Sequence, residues 1–323
     1  MINKKGFEFS FGWIFSVLVG AVIIFLAIYA STKIINSERY FLDSAAAKQF
    51  STILNPLETG SESGKISIIN LPSENKIFLS CDSEPPFGKQ KVSIAEQSSS
   101  LKKNLEDGGA ETSISSKYIF SSDSIEGKSL VVFSKPFFMP FKVADLIYII
   151  PEEQKYCFIN PPNEIEDEIL DLRPMNFNVT ETISKCPKQS LKVCFSATGC
   201  DIDVNLVAKT VRRKKQAAVY YEELDENNAL LYGAIFADSS MYECQIKRIM
   251  LRTSELAGLY KSKADYLSPR GCPGPEISSS LALYSNLTSA LNNSRQLRPI
   301  KLSADSLAEI NDALSCFLFK TRG

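Results

Sequence analysis

The chain has 323 residues, 44% hydrophobic and 23% charged, which is enough for about two globular domains. Its 36 Lys plus Arg against 37 Asp plus Glu leave a net charge of −1, which argues against a nucleic-acid partner, because that needs clustered positive charge. Histidine is absent, so Ser-His-Asp triads, Cys-His pairs, HExxH zinc sites and imidazole proton shuttles are excluded.

In chain order, the first element is an apolar segment, Phe9–Thr32, without a charged residue. At 1.5 Å per residue a helix here reaches about 36 Å, enough to cross a hydrocarbon core of about 30 Å with tilt. The run is longer than the apolar part of a cleaved secretory signal, and Lys33-Ile34-Ile35 follows it in place of a small-residue cleavage site. The expectation is a retained single span, residues 9–32, behind a cytoplasmic tail of residues 1–8. Flanking charge leaves the orientation nearly even: Lys4 and Lys5 on one side, Lys33 and Arg39 on the other. The cysteines break the tie. Cys81, Cys157, Cys186, Cys194, Cys200, Cys244, Cys272 and Cys316 all follow the span, are even in number and contain no CxxC pair. That pattern fits disulfides in an oxidising compartment better than a zinc site, and it puts the C-terminal region outside the cytoplasm. Within the span, Gly12, Ser16 and Gly20 share one helical stripe. Small residues at that spacing let two helix backbones approach, so the span is a candidate for self-association in the bilayer.

The N-terminal sequence Lys4-Lys5-Gly6-Phe7-Glu8-Phe9 resembles the class III signal of type IV pilins and pilin-like surface proteins, over roughly the first 55 residues. The resemblance implies cleavage after Gly6, Phe7 as the first mature residue, and an apolar helix behind it. The glutamate that the family typically carries at the fifth mature position is Phe11 here, and the acid falls at Glu8 instead.

Beyond the span, residues 33–56 are expected to form a helical stalk. Good helix formers run from Ser37 to Leu54, with Phe41, Ala45, Phe50 and Leu54 on one broad stripe, and Asn55-Pro56 stops them. Residues 57–160 read as a β-rich unit. Its strands are Lys65–Leu71, Lys76–Cys81, Lys91–Ala95, Lys117–Phe120, Leu130–Phe133, Leu146–Ile150 and Tyr156–Ile159, with a short helix over Ser98–Glu106. Residues 161–177, bounded by Pro161-Pro162 and Pro174, read as a linker with an acidic helix at Glu164–Leu172. Residues 178–323 form a second, α+β unit. Strands are expected at Leu191–Ser196, Ile202–Val207, Lys209–Arg213, Ala217–Glu223 and Ala229–Phe236. Three helices close it. The first opens at Ser240 with Glu243 as a capping box and buries Tyr242, Ile246, Ile249, Leu256, Tyr260 and Ala264. The second carries Leu281, Tyr284, Leu287 and Leu291. The third carries Leu307, Ile310, Leu314 and Phe317 behind a cap at Ser303. The fold class is therefore α+β.

Chemistry-bearing patterns are few. Asp201, Asp203 and Asn205 imitate the start of a calcium loop, but Leu206 and Arg212 stand where that loop needs Gly and Glu. Ser73-x-x-Lys76, Ser99-x-x-Lys102 and Ser100-x-x-Lys103 lack the partner motifs of a Ser-Lys nucleophile. Arg212-Arg213-Lys214-Lys215 reads as a wet hairpin tip. Asn178, Asn286 and Asn292 open N-x-Ser/Thr sequons, and about three are expected by chance for this composition. No catalytic, cofactor or metal residue is assigned. The expected function is a non-enzymatic, membrane-anchored surface protein, a candidate pilin-like assembly or partner-binding component, whose partners are the bilayer, another copy or a different chain through the span, and an extracytoplasmic partner that the sequence does not name. The alternative is a hydrolase working with carboxylates alone, such as a glycosidase. Three helices running up, down and up would bring Cys272 and Cys316 to one pole, so they are expected to pair. Cys81 and Cys157, both in strands of the first unit, are expected to pair with each other. Cys186, Cys194, Cys200 and Cys244 would then pair within the second unit.

The pilin-like resemblance predicts a mature chain that starts at Phe7 and a Gly6→Val variant that stays uncut. Mass spectrometry of the N-terminal peptide reads both, and a wild-type chain retaining Met1 or Ile2 removes the resemblance's central implication.

Overall fold

The computed structural model describes residues 11–53, 66–96, 111–172, 176–195, 198–222, 227–272, 275–314 and 316–321. The expected tail, Gly6 and Phe7, the stop at Asn55-Pro56, and the helix over Ser98–Glu106 lie outside the described residues. The fold is α+β, with an N-terminal apolar helix, a sheet-rich middle and three helices near the end.

Helix α1 (Phe11–Ile53) runs unbroken for 43 residues, about 65 Å. Its first half lies free of the fold, while Ala47 and Phe50 are buried where the helix meets strands β2 (Lys89–Glu96) and β3 (Thr112–Ile114). These belong to a six-stranded sheet with β1 (Ser67–Asp82), β4 (Tyr118–Phe120), β5 (Ser124–Phe138) and β6 (Lys142–Pro151), ordered β3-β2-β1-β5-β6-β4. All its pairings are antiparallel except β4 against β6. The two strands expected at Lys65–Leu71 and Lys76–Cys81 are one strand, β1. A register shift between Asn70 and Asn75 carries the ladder across Pro72, a residue that cannot donate to it.

The second sheet contains β7 (Tyr156–Ile159), β8 (Phe177–Thr180), β9 (Leu191–Cys194), β10 (Ile202–Asn205), β11 (Thr210–Arg213) and β12 (Val219–Tyr220) in the order β12-β11-β10-β9-β7-β8. Strand β7 therefore pairs with β8 and β9, so the sheets divide before Tyr156 rather than at residue 160. The segment 161–177 contains helix α2 (Asn163–Leu172), which is the crossover that parallel β7 and β8 require. Period-2 alternation sends Phe158, Val193, Ile202, Val204 and Val211 into the main core. Cys157, Ile159 and Cys194, on the opposite face, form a small cluster with Cys200.

One expected strand is a helix. Ala229–Phe236 forms α3, and every residue of it is buried. A continuous apolar run has no periodicity to separate a buried strand from a buried helix. Packing decides it: a Cβ on Gly233 would stand 2.7 Å from the Phe120 ring, so glycine permits this approach. Helix α4 (Ser239–Leu267) begins one residue before the expected cap, with Asp238 at the N-cap position and no side-chain cap bond. Glu243 turns instead to Ser294, accepting from its amide at 2.7 Å and its hydroxyl at 2.6 Å. Helix α5 spans Pro275–Ser289, and α6 spans Leu297–Asp312. A short 3-10 turn capped by Asn293 precedes α6, so Ser303 lies inside that helix rather than at its cap. Phe317 lies past its end and is exposed.

Helix α4 holds to the first sheet through an unusual stripe. Arg248 is fully buried. It donates to the carbonyls of Lys117 at 2.9 Å, Ser115 at 2.9 Å and Phe87 at 3.3 Å, and to Gln245 Oε1 at 2.8 Å. Gln245 donates to Ile119 O at 2.9 Å and also contacts Gln90. The guanidinium lies 4.9 Å from the Tyr118 ring centre. Gly88 makes room at φ +61°, where a Cβ would sit 2.8 Å from Arg248 Cγ. Arg248→Met leaves these acceptors buried without a donor and is expected to lower stability by about 3 kcal/mol or more. An unchanged urea midpoint for the protein would contradict this.

Candidate functional site

The disulfide partners come from the topology. Cys81 on β1 pairs with Cys244 on α4, Cα atoms 6.0 Å apart, so the expected Cys81–Cys157 bond does not form. The reason is that β7, which carries Cys157, belongs to the other sheet. Cys157 pairs with Cys186 across the end of that sheet, at 5.8 Å, and Cys194 with Cys200 in a tight loop, at 6.0 Å. Of the four cysteines left to the second unit, only this last pair joins two of its own members. Cys272 meets Cys316 at 6.0 Å, one just past α4 and the other past α6.

A cleft of about 450 Å³ opens between the ends of the sheets. Its rim carries Ser122, Ser124, Glu126, Glu153 and Gln154, and its floor Ser121, Ile149, Tyr156, Leu191, Arg213 and Phe236. Arg213 is not part of a wet tip. In β11, Val211 points inward and Arg212 outward, and Arg213 reaches below the sheet to the Ile235 carbonyl at 2.6 Å and to Asp238 at 3.7 Å. Tyr156 stands beside it, its hydroxyl pushed to higher pKa by burial and only partly offset by Arg213. Both carboxylate oxygens of Asp238 are engaged, one by Gln216 Nε2 at 2.9 Å and the other by the Asp123 amide at 3.0 Å. Burial, and then the negative charge of Asp238, raise the Asp123 carboxyl above its ordinary value. This Arg-Asp-Gln knot ties the β10–β11 hairpin to the start of α4. The sequence signal for it was the alternation within Val211-Arg212-Arg213, hidden by reading the run as one basic cluster.

A second cavity of about 530 Å³ lies at the far end of the helices, lined by Tyr260, Lys263, Asp312, Phe317, Phe319 and Lys320 among others. The calcium-like acids are structural. Asp203 accepts from the Gly199 and Cys200 amides at 3.1 and 3.0 Å, and Asp201 from the Lys192 amide at 3.0 Å. Lys76 of the Ser73-x-x-Lys76 motif pairs with Glu126 at 2.8 Å, while the two matches from Ser99 to Lys103 lie outside the described residues. No cluster of three metal-binding side chains occurs among the described residues. On α1, Gly12, Ser16 and Gly20 lie on the exposed apolar segment. The Ser16 hydroxyl donates to the Gly12 carbonyl at 2.8 Å, and nothing approaches within 4 Å of where a Gly20 Cβ would stand.

No family model, curated protein or solved structure matches the chain.

The sign of the Asp123 shift sets a pH test. A carboxyl whose pKa is raised by folding favours the native state most when protonated, and that advantage disappears as pH climbs through the folded pKa. Asp123→Asn, which removes the charge, is expected to stabilise the protein near pH 7 and to change nothing at pH 3, below the ordinary value of 3.8. Thermal midpoints at the two pH values check it. An equal gain at both would assign the effect to something other than this charge.

Proposed function

We propose that the chain is a single-pass membrane protein that carries its folded mass outside the cytoplasm and acts without catalysis, by assembling or by docking a partner. The observation that carries this reading is the contrast within α1. Phe11–Lys33 is long and apolar enough to cross a bilayer, and none of it is buried against the fold. Further along the same helix, Ala47 and Phe50 are buried. A helix apolar on every side, with no protein covering it, is matched by hydrocarbon. The orientation is supported by the cysteines: all eight lie beyond the span and all are paired, as an oxidising compartment requires.

A long helix that leaves the span and packs on an antiparallel sheet is also the arrangement implied by the pilin-like N-terminus. That likeness is architectural and supports assembly by analogy. The small-residue stripe Gly12, Ser16 and Gly20 would serve the same end, since the Ser16 hydroxyl is already satisfied within its own helix and adds no unmet donor to a helix–helix contact. A glycosidase needs two carboxylates facing one bond. Asp238, the acid nearest Asp123, has both oxygens bound to neighbours, which favours the binding reading.

Intact cells treated with a membrane-impermeant amine reagent test the placement. Lys214 and Lys215, exposed in the turn after β11, are expected to label without lysis. Labelling that appears only after the cells are opened would overturn the orientation.

A further inference from the structure

The structure assigns Asn286 and Asn292 as attachment sites for N-linked glycans, an inference that rests on the extracytoplasmic placement proposed above. The number of sequons carries no weight, since chance supplies about three. Asn178, which opens the third sequon, also makes no side-chain bond but is half-buried on β8, so exposure separates Asn286 and Asn292 from it. The way the fold uses its other asparagines separates them from the rest. Asn70, Asn75, Asn176, Asn205, Asn227, Asn293 and Asn311 all commit their side chains to bonds within the protein. Among the described residues, the side chains of Asn286 and Asn292 bond to nothing, and both are exposed. Asn286 stands on the outer face of α5, whose inner face buries Leu281, Tyr284 and Thr288. Asn292 lies in the loop between α5 and the 3-10 turn before α6. The immediate neighbour Asn293 shows the contrast: its Oδ1 caps that turn by accepting from the Arg295 amide at 3.1 Å. A loop asparagine with a structural task is spoken for, and the one beginning the sequon is open.

The two acceptors share one pole of the helical layer, where Ser294 meets Glu243 near the start of α4. Cys272 and Cys316 occupy the other pole, beyond the end of α4 and about 40 Å away at 1.5 Å per residue. In the reaction, Asn Nδ2 forms a bond to the anomeric carbon of a sugar supplied by a lipid-phosphate-linked donor. The bond from that carbon to the phosphate oxygen breaks, the phosphate leaves with the electron pair, and Nδ2 gives up one proton. A separate membrane transferase performs this on the side where donor and ectodomain meet.

Full-length protein isolated from its native membrane, digested and analysed by mass spectrometry, tests the assignment. A glycan-sized mass increment is expected at Asn286 and at Asn292, and Asn286→Gln and Asn292→Gln are each expected to remove one increment from the intact mass. Neither side chain makes a contact to lose, so the thermal midpoint of the unglycosylated chain reports that folding is intact. Unmodified Asn286 and Asn292 in protein whose Lys214 and Lys215 label from outside would overturn this inference and leave the proposed placement standing. Modification at the half-buried Asn178 alone would overturn it too. Labelling of those lysines only after lysis would instead overturn the placement, and with it the glycan sites.

Discussion

The buried guanidinium of Arg248 is the constraint around which the rest of the folded region is arranged. No described carboxylate bonds to it, and its charge is met by carbonyl oxygens of the segments after β3 and before β2. Removing a cation from water is expensive unless fixed dipoles replace the water. Here burial lowers its pKa to about 10, so it remains charged at neutral pH. Those carbonyls must stay where they are for the charge to stay buried, and so the loops bounding β2, β3 and β4 are held to one helix. Met241, Gln245, Arg248 and Arg252 follow one another at intervals of three or four residues on α4, with Cys244 beside Gln245, and the bonds of Cys244, Gln245, Arg248 and Arg252 reach the first sheet or the loops that bound its strands. The Cys81–Cys244 bond closes the same contact covalently, in a loop of 163 residues, long enough for a large effect on the unfolded chain.

A second junction joins the sheets to each other. Helix α3 is buried on all sides, and around it Phe133, Tyr148, Tyr156, Phe177, Tyr232 and Phe236 make an unbroken set of stacked and edge-on rings. Tyr148 donates to the Ala229 carbonyl at 2.7 Å, satisfying one polar group inside the apolar layer. Tyr232 lends its hydroxyl to Glu168 of α2, at 3.0 Å, and its ring face to the Lys135 ammonium, at 4.7 Å. Lys135 and Glu168 also pair directly. The two sheets therefore share one core, joined by aromatic contact and one ion pair.

Much of this was legible where a single periodicity governed the residues. The N-terminal apolar helix, most strands, the acidic helix and the last three helices follow from apolar runs, alternation and 3.6-residue stripes. The exceptions have physical causes. Ala229–Phe236 is apolar throughout, so neither period was visible, and the close approach of Gly233 to Phe120 depends on a strand far away in sequence. The α4 stripe contains Gln and Arg, types that pattern reading assigns to solvent, and its burial depends on carbonyls that the sequence does not display. The pairing of Cys272 with Cys316 followed helix order, a local feature. The partner of Cys81 depended on which sheet β7 joins, a question of long-range topology. Arg213 was hidden by its neighbours: four cations in a row read as one exposed group, although alternation turns one of them inward.

The geometry of α1 limits how the ectodomain can present itself on the proposed reading. Thirteen residues of continuous helix lie between Lys33 and Ala47, a rise of about 21 Å over the fourteen steps at 1.5 Å each. Because the helix does not break before it docks, the first sheet is held at that height by a rod and not by a flexible tether. The β3 side of the sheet, against which α1 packs, then faces the anchor's axis, and the opposite side of the order, β4, lies farthest from it. The interval cleft with Ser121, Ser122 and Ser124 adjoins that far strand. Any association of spans through Gly12, Ser16 and Gly20 would therefore set neighbouring ectodomains at a defined rotation. The small-residue stripe and the Ala47–Phe50 contact sit on one continuous helix, so on that reading a choice of partner face in the bilayer would reach the folded region as a choice of sheet face.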